Sequence, residues 1–113
     1  MKNRIIKIKK LSLGNNLPLT LIAGPCQIES LEHALMMADK ISQVAQKTRV
    51  PFVYKSSFDK ANRSSISTAR GVGMAAGLEI LAAVKERFGC PVITDVHTAE
   101  QCASVSDVAD ILQ

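Results

Sequence analysis

LTLIAGP, spanning residues 19–25, decides the fold of this chain. Residues 19–23 form a short apolar run without the alternation of a half-buried strand, and Gly24-Pro25 ends it. Such a run is typical of a parallel strand that is buried on both faces. Further along, Phe52-Val53-Tyr54 and Val92-Ile93-Thr94 repeat the pattern, and a helical stretch follows each strand. The sequence therefore predicts an α/β fold in which strand–helix units build a parallel sheet.

The helices are predicted from their ends and from apolar residues at helical spacing. Ser30 is suited to cap the first helix, whose inward face would be Leu31, Ala34, Leu35, Ala38, Ile41 and Ala45. A second helix is predicted over residues 73–88, with Gly89 as its stop signal; its inward residues would be Gly77, Leu81, Val84 and Phe88. Thr98 and Gln101 predict a capping box for a third helix, and residues 108–112 a fourth strand.

Composition excludes several classes of protein. With 47% hydrophobic and 21% charged residues among 113, the chain is expected to be globular. It has no apolar stretch of membrane-spanning length, no signal peptide and no CxxC pair among its three cysteines, so a cytoplasmic protein is predicted. The amino-terminal lysines alternate with isoleucines, which favours a strand over a nucleic-acid-binding arm, and no aromatic residues lie among them for base stacking.

Polar residues follow the first three strands of the predicted sheet. Cys26, Gln27 and Glu29 follow the first, residues 55–65 the second, and Asp95 and His97 the third. Active sites of parallel α/β folds are built at these carboxyl ends. The cations, hydroxyls and amide of residues 55–65 suit an anionic, oxygen-rich ligand such as a sugar phosphate, although basic loops are often merely solvated.

Single residues leave alternatives open. Cys26 is either a small buried residue or one ligand of a transition metal. Asp95 and His97 would point to the same side of an extended chain, where they could share a proton or a ligand. The glycines of residues 71–77 have the spacing GxGxxxG and follow a polar segment rather than a strand, so no nucleotide cofactor is predicted.

Three motifs carry a resemblance to a known family. GPCQIES, YKSSFDKANRSS and ITDVH resemble the amino-terminal part of the 3-deoxy-D-manno-octulosonate 8-phosphate (KDO8P) synthases, and the resemblance covers the whole chain. GPC-x-x-E is shared with the related 3-deoxy-D-arabino-heptulosonate 7-phosphate (DAHP) synthases. Those relatives have a KPRTSPY-like segment where this chain has KSSFDKANRSS, which separates the two families.

The resemblance implies a (β/α)8 TIM barrel with an amino-terminal β-hairpin. Residues 1–14 would form the hairpin, and residues 15–113 three βα units and a fourth strand of the single barrel domain. The implied activity is a cytoplasmic aldol-type transferase of lipopolysaccharide biosynthesis, which condenses phosphoenolpyruvate with arabinose 5-phosphate and releases phosphate. The family forms homotetramers.

Roles for individual residues also follow from the resemblance alone. Lys55 and Lys60 would hold phosphoenolpyruvate; Asn62, Arg63 and Ser64 would receive the phosphate of arabinose 5-phosphate; Ser57 and Asp95 would contact the sugar hydroxyls. Lys60 and Asp95 are the expected catalytic residues, and the role of His97 stays open. Cys26 is typical of the metal-dependent members, in which a histidine and two carboxylates from later strands complete the site of a divalent ion.

The end of the chain is the last feature that bears on function. A fourth strand with no helix after it would leave an uncovered sheet edge, and a barrel needs about 250 residues. The chain is therefore expected to be the front part of a larger protein, and inactive and poorly folded by itself. A DAHP synthase-type condensing enzyme and an inactive truncated remnant are the alternatives.

Overall fold

Four parallel strands form the sheet that carries the candidate site. The structure is a computed structural model, and it describes residues 2–59 and 71–113. The described elements, in chain order, are β1 (Ile6–Ile8), β2 (Leu11–Leu13), β3 (Leu21–Ala23), α1 (Leu31–Thr48), β4 (Phe52–Lys55), α2 (Met74–Phe88), β5 (Val92–Thr94), α3 (Gln101–Ser106) and β6 (Ile111–Leu112). The sheet order is β3-β4-β5-β6, with every neighbouring pair parallel. The predicted α/β class with a parallel sheet is confirmed.

The two faces of the sheet differ in their surroundings. Tyr54 pairs with Val92, and both belong to the apolar core that is shared with the helices. Lys55 pairs with Ile93 and, because side chains alternate along a strand, these two lie on the opposite face. Ile22 belongs to the same face as Lys55 by its register with Val53, and it is 43% exposed. The prediction that residues 19–23 form a strand buried on both faces is therefore wrong, because β3 begins at Leu21 and is the edge strand of the described sheet. We call this second face the inner face.

Strands β1 and β2 pair antiparallel, and the turn between them lines a cavity together with the residues that lead into β4 and β5. Their connecting turn carries Lys9, whose Nζ lies 3.6 Å from Oδ1 of Asp110, just before β6. The same carboxylate lies 3.3 Å from Lys85 Nζ of α2 and accepts the backbone N–H of Val92 at 2.9 Å. Asp110 therefore connects the hairpin, α2 and β5 at the end of the sheet opposite the candidate site.

The helix boundaries largely follow the predicted signals. Ser30 caps α1, because its Oγ accepts the backbone N–H of His33 at 3.0 Å. Gly89 ends α2 with a φ of 68°, in the left-handed region that favours glycine. Among the predicted inward residues of α1, Leu31 is wrong: it is 47% exposed, since it lies in the first turn, beyond the edge of the core.

The third helix differs more from the prediction. It begins at Gln101, with Glu100 as its N-cap, and the Gln101 side chain accepts the N–H of His97 at 2.8 Å. The predicted capping box on Thr98 is therefore wrong, since Gln101 reaches the residue before it. The fourth strand is shorter than predicted, because the N–H groups of Val108 and Ala109 both bond to the carbonyl of Val105 and prolong the turn after α3.

No helix within residues 2–59 and 71–113 has both the length and the apolar character needed to cross a membrane.

Candidate active site

The segments that follow β3 and β4 run side by side. Ser57 donates its backbone N–H to the carbonyl of Cys26 at 3.1 Å, and Ile28 donates its N–H to the carbonyl of Ser57 at 2.8 Å. Gln27 and Ser57 thereby form a parallel bridge beyond the ends of the named strands. The carboxyl ends of β3 and β4 therefore lie next to each other, as predicted.

Close approach of these two strands depends on Gly24. A Cβ atom at Gly24 would lie 1.8 Å from the carbonyl oxygen of Lys55. No side chain fits there, so glycine is the residue that lets the carboxyl end of β3 reach β4.

The third strand end continues as extended chain beside β6. Gln113 donates its N–H to Thr94 O at 3.0 Å, and Val96 donates its N–H to Gln113 O at 3.0 Å. Side-chain alternation then places Asp95 on the inner face, with Lys55 on the neighbouring strand. From strand spacing and rise, their Cα atoms are separated by about 8 Å. A cation and a carboxylate are therefore neighbours at this edge of the sheet.

Asp95 and His97 form a pair, as their spacing predicts. His97 Nε2 lies 3.3 Å from Asp95 Oδ2, and each side chain is 24% exposed. The other carboxylate oxygen, Oδ1, is buried and accepts no hydrogen bond from the described residues. The His97 ring also packs edge-on against Phe58, with ring centroids 6.0 Å apart. Asp95 therefore retains one unsatisfied acceptor beside a fixed imidazole.

Lys55 and Ser57 differ in how available their polar groups are. Lys55 is half-buried and forms no salt bridge to another described residue. Ser57 is buried; its hydroxyl donates to Asp59 O at 3.0 Å and accepts the Asp59 N–H at 3.3 Å. The hydroxyl is thus used within a local turn, and the predicted contact of Ser57 with a sugar hydroxyl stays a prediction.

The metal prediction concerns Cys26. Its thiol is free and the residue is exposed, so the buried alternative is wrong. Within residues 2–59 and 71–113, no three His, Cys, Asp or Glu side chains come together as a metal-binding group. These residues do not fit a metal ion by themselves, because one thiolate cannot hold it.

The other predicted residues of the basic segment, Lys60, Asn62, Arg63 and Ser64, lie outside the described residues.

Two residues of this edge were missed by sequence reasoning. Gln113 pairs with Asp95 by strand register and so belongs to the inner face; its position directly after an apolar strand was the available signal. Phe58 is 1% exposed, and a Cβ atom on Gly77 of α2 would lie 2.4 Å from its Cβ. An aromatic residue inside a polar stretch of an aromatic-poor chain was the signal for Phe58.

Comparison with known proteins identifies the family. Residues 3–113 match the DAHP synthetase I family. The chain belongs to this family. Its relatives include proteins named 2-dehydro-3-deoxyphosphooctonate aldolase, a name equivalent to KDO8P synthase, so the resemblance inferred from the three motifs is confirmed.

Three of these relatives come from Rickettsia. The protein of Rickettsia bellii (strain OSU 85-389) is 57% identical over 110 residues, that of Rickettsia typhi (strain ATCC VR-144 / Wilmington) 54%, and that of Rickettsia felis (strain ATCC VR-1525 / URRWXCal2) 53%. Each alignment covers 97% of this chain and 40% of the relative. This DAHP synthetase I family chain therefore spans about two-fifths of the length of the curated relatives it matches.

Proposed function

We propose that this chain acts in the condensation of phosphoenolpyruvate with D-arabinose 5-phosphate and water, which gives KDO8P and phosphate. The observation that carries the proposal is Oδ1 of Asp95, which has no hydrogen-bond partner among residues 2–59 and 71–113 and is held beside His97 at the same strand edge as Lys55. The names of the Rickettsia relatives support the choice of this reaction over that of a DAHP synthase.

The reaction joins two anions and requires charge of the opposite sign. The enol carbon of phosphoenolpyruvate attacks the sugar aldehyde to form the new C–C bond, water adds to the resulting cationic carbon, and phosphate leaves from the tetrahedral intermediate. Lys55 is assigned to the anionic groups of phosphoenolpyruvate, since it is half-buried and has no salt bridge within the described residues. A fixed cation offsets repulsion between the substrates and holds them in reacting geometry.

Asp95 is assigned to the sugar. Its Oδ2 is occupied by His97, which leaves Oδ1 to accept a hydrogen bond from a sugar hydroxyl. A buried carboxylate oxygen without a donor is costly, so binding of a hydroxyl there is favourable. The imidazole, packed on Phe58, fixes the orientation of the carboxylate.

The remaining assignments follow the family pattern. We place Lys60 beside phosphoenolpyruvate as a catalytic residue, Asn62, Arg63 and Ser64 on the phosphate of the sugar, and Ser57 near its hydroxyls. Cys26 would contribute one ligand to a divalent ion in the complete protein, and its exposed thiol supports that role. The described residues provide no further ligand set.

The proposed architecture is a complete (β/α)8 barrel with an amino-terminal hairpin, assembled as a homotetramer in the cytoplasm. Residues 1–113 would supply the hairpin, three βα units and the fourth strand. The antiparallel β1–β2 pair and the sequential order β3-β4-β5-β6 of the four parallel strands support this arrangement. The 113-residue chain by itself is expected to be inactive.

The experiment uses the complete gene product that contains residues 1–113. We expect phosphate release with phosphoenolpyruvate and arabinose 5-phosphate, and at least tenfold less with erythrose 4-phosphate, the DAHP synthase substrate. Asp95→Asn should lower kcat/KM by about 100-fold, the loss expected of a group that acts in the transition state. Ser106→Ala, a change on the exposed face of α3, is the matched control.

A preference for erythrose 4-phosphate would contradict this proposal and favour a DAHP synthase activity instead. A reading frame that stops after Gln113, together with no turnover, would favour the inactive remnant.

A further inference from the structure

Two buried hydroxyl groups link the three strand ends behind the candidate site. Thr94 donates its hydroxyl to the backbone carbonyl of Ser56 at 2.8 Å, across β5 and β4. Ser56 in turn donates its hydroxyl to the backbone carbonyl of Pro25 at 2.6 Å, across β4 and β3. Both residues are 0% exposed, so water cannot replace these hydrogen bonds. The three strand ends are thus tied in series by side chains.

Each group in this series directly precedes a residue of the proposed site. Pro25 precedes Cys26, Ser56 precedes Ser57, and Thr94 precedes Asp95. Because side chains alternate along extended chain, the two hydroxyls lie on the helix-packed face while Ser57 and Asp95 belong to the inner face. The hydroxyls therefore cannot contact a ligand on the inner face, but they set the spacing of the backbone that carries its residues.

One backbone hydrogen bond is long where the hydroxyls act. Ser56 donates its N–H to Ile93 O at 3.4 Å, a long hydrogen bond, whereas Tyr54 donates to Pro91 O at 2.9 Å two residues earlier. β5 ends at Thr94 and β3 at Ala23. The side-chain bonds of 2.8 and 2.6 Å lie beside this long hydrogen bond and next to the Gln27–Ser57 bridge, so they reinforce the backbone pairing there.

We propose that Ser56 and Thr94 are positioning residues, whose hydroxyls fix the relative placement of Cys26, Ser57 and Asp95. This inference rests on the proposed function for its kinetic consequence only. The structural consequence is independent of any substrate: loss of either hydroxyl should loosen the strand ends that it joins. An ordinary buried hydroxyl would stabilise the fold without affecting these ends selectively.

The kinetic test uses the complete gene product and distinguishes the effect of the Thr94 hydroxyl from that of the Thr94 methyl group. Thr94→Val keeps the shape and removes the donor, whereas Thr94→Ser keeps the donor and removes the methyl. We expect Thr94→Val to lower kcat/KM for arabinose 5-phosphate by about tenfold, because misplaced groups lose catalysis steeply. Its Tm should fall as well, since the buried Ser56 carbonyl loses its donor. Thr94→Ser should stay within about twofold of the parent in kcat/KM while its Tm falls, since it loses buried packing.

The second test needs no substrate. Ser56→Ala should raise the hydrogen-exchange rates of the Ser57 and Ile28 amides, which form the bridge between the strand ends, by about tenfold through local opening. The amide of Gly89, bonded to Lys85 O at the other end of α2, should be unaffected. Ser106→Ala, which removes an exposed hydroxyl bonded to Ala103 O, is the matched control.

The outcomes are distinguishable. Activity that follows Tm across Thr94→Val and Thr94→Ser, or unchanged exchange at Ser57 and Ile28 in Ser56→Ala, would overturn the positioning role. If the parent protein releases no phosphate with either sugar, the proposed function fails, and the exchange rates alone then decide the inference.

Discussion

Gly24→Ala tests how the fold creates the site. A Cβ atom there would lie 1.8 Å from the Lys55 carbonyl oxygen and 2.8 Å from its carbonyl carbon. Non-bonded heavy atoms approach to about 3.5 Å, so the two strand ends must separate by about 1.5 Å. Both obstructing atoms are backbone, and no rotation of a side chain can relieve the contact.

The separation acts on the bridge next to Gly24. The bond from the Ser57 N–H to Cys26 O, now 3.1 Å, would exceed hydrogen-bonding distance after such a shift. We expect about 1–3 kcal/mol lower stability from overpacking, and a fall in kcat/KM of about 100-fold, the usual cost of a misplacement of about 1 Å at reacting groups.

The assay is phosphate release from phosphoenolpyruvate and arabinose 5-phosphate by the complete gene product, with urea unfolding in parallel. Gly14→Ala is the matched control, because a Cβ at Gly14 would lie 3.3 Å from Arg4 O, a contact that small shifts relieve. A Gly24→Ala protein with the kcat/KM of the parent would refute the reasoning. Equal losses of kcat/KM in Gly24→Ala and Gly14→Ala would refute it as well.

Three further predictions concern stability, pH and metal. Asp110→Ala should lower the free energy of unfolding by about 2–4 kcal/mol, since it leaves the buried Val92 N–H without an acceptor and removes the carboxylate partner of Lys85. Lys9→Ala, at the exposed end of the same cluster, should cost under about 1 kcal/mol. Urea titrations measure both costs, and equal costs would contradict this prediction. Burial raises the pKa of Tyr54 from 10.0 to about 12. As the pH rises, the phenol therefore ionises in the unfolded chain before it ionises in the folded one. The contribution of Tyr54 to the free energy of unfolding is complete below pH 10 and falls by about 1.4 kcal/mol per pH unit between pH 10 and 12. Tyr54→Phe should remove this contribution to the loss of stability at alkaline pH. If the parent and Tyr54→Phe show the same dependence of stability on pH between 10 and 12, the prediction is wrong. Cys26→Asn should weaken metal dependence, so its activity after chelation should fall less than that of the parent.

Features that depend on residues close together in the sequence were predicted correctly. The Ser30 cap depends on a hydroxyl three residues from the N–H that it accepts, and the Gly89 stop depends on one backbone angle. The β4 and β5 strands were visible because both of their faces are buried. Alternation then predicted correctly that Asp95 and His97 would meet.

Features set by distant contacts could not be predicted in the same way. The Thr98 capping box failed because Gln101 had a competing acceptor role toward His97, at nearly the same sequence distance. The bond from Thr94 to Ser56 O joins residues 38 apart, and only strand order makes them neighbours. The exposure of Cys26 likewise depends on how the segment after β3 lies against β4.

Two aspartates at opposite ends of the sheet show how stability and function are divided. Asp110 has donors for both oxygens, from the Val92 N–H and from Lys85 and Lys9, so its carboxylate is satisfied within the fold. Asp95, beyond the other end of β5, has His97 at one oxygen and a buried second oxygen with no donor among the described residues. A buried acceptor without a donor lowers stability. We expect a donor that arrives with the ligand to bond Asp95 Oδ1 at the carboxyl edge of the sheet.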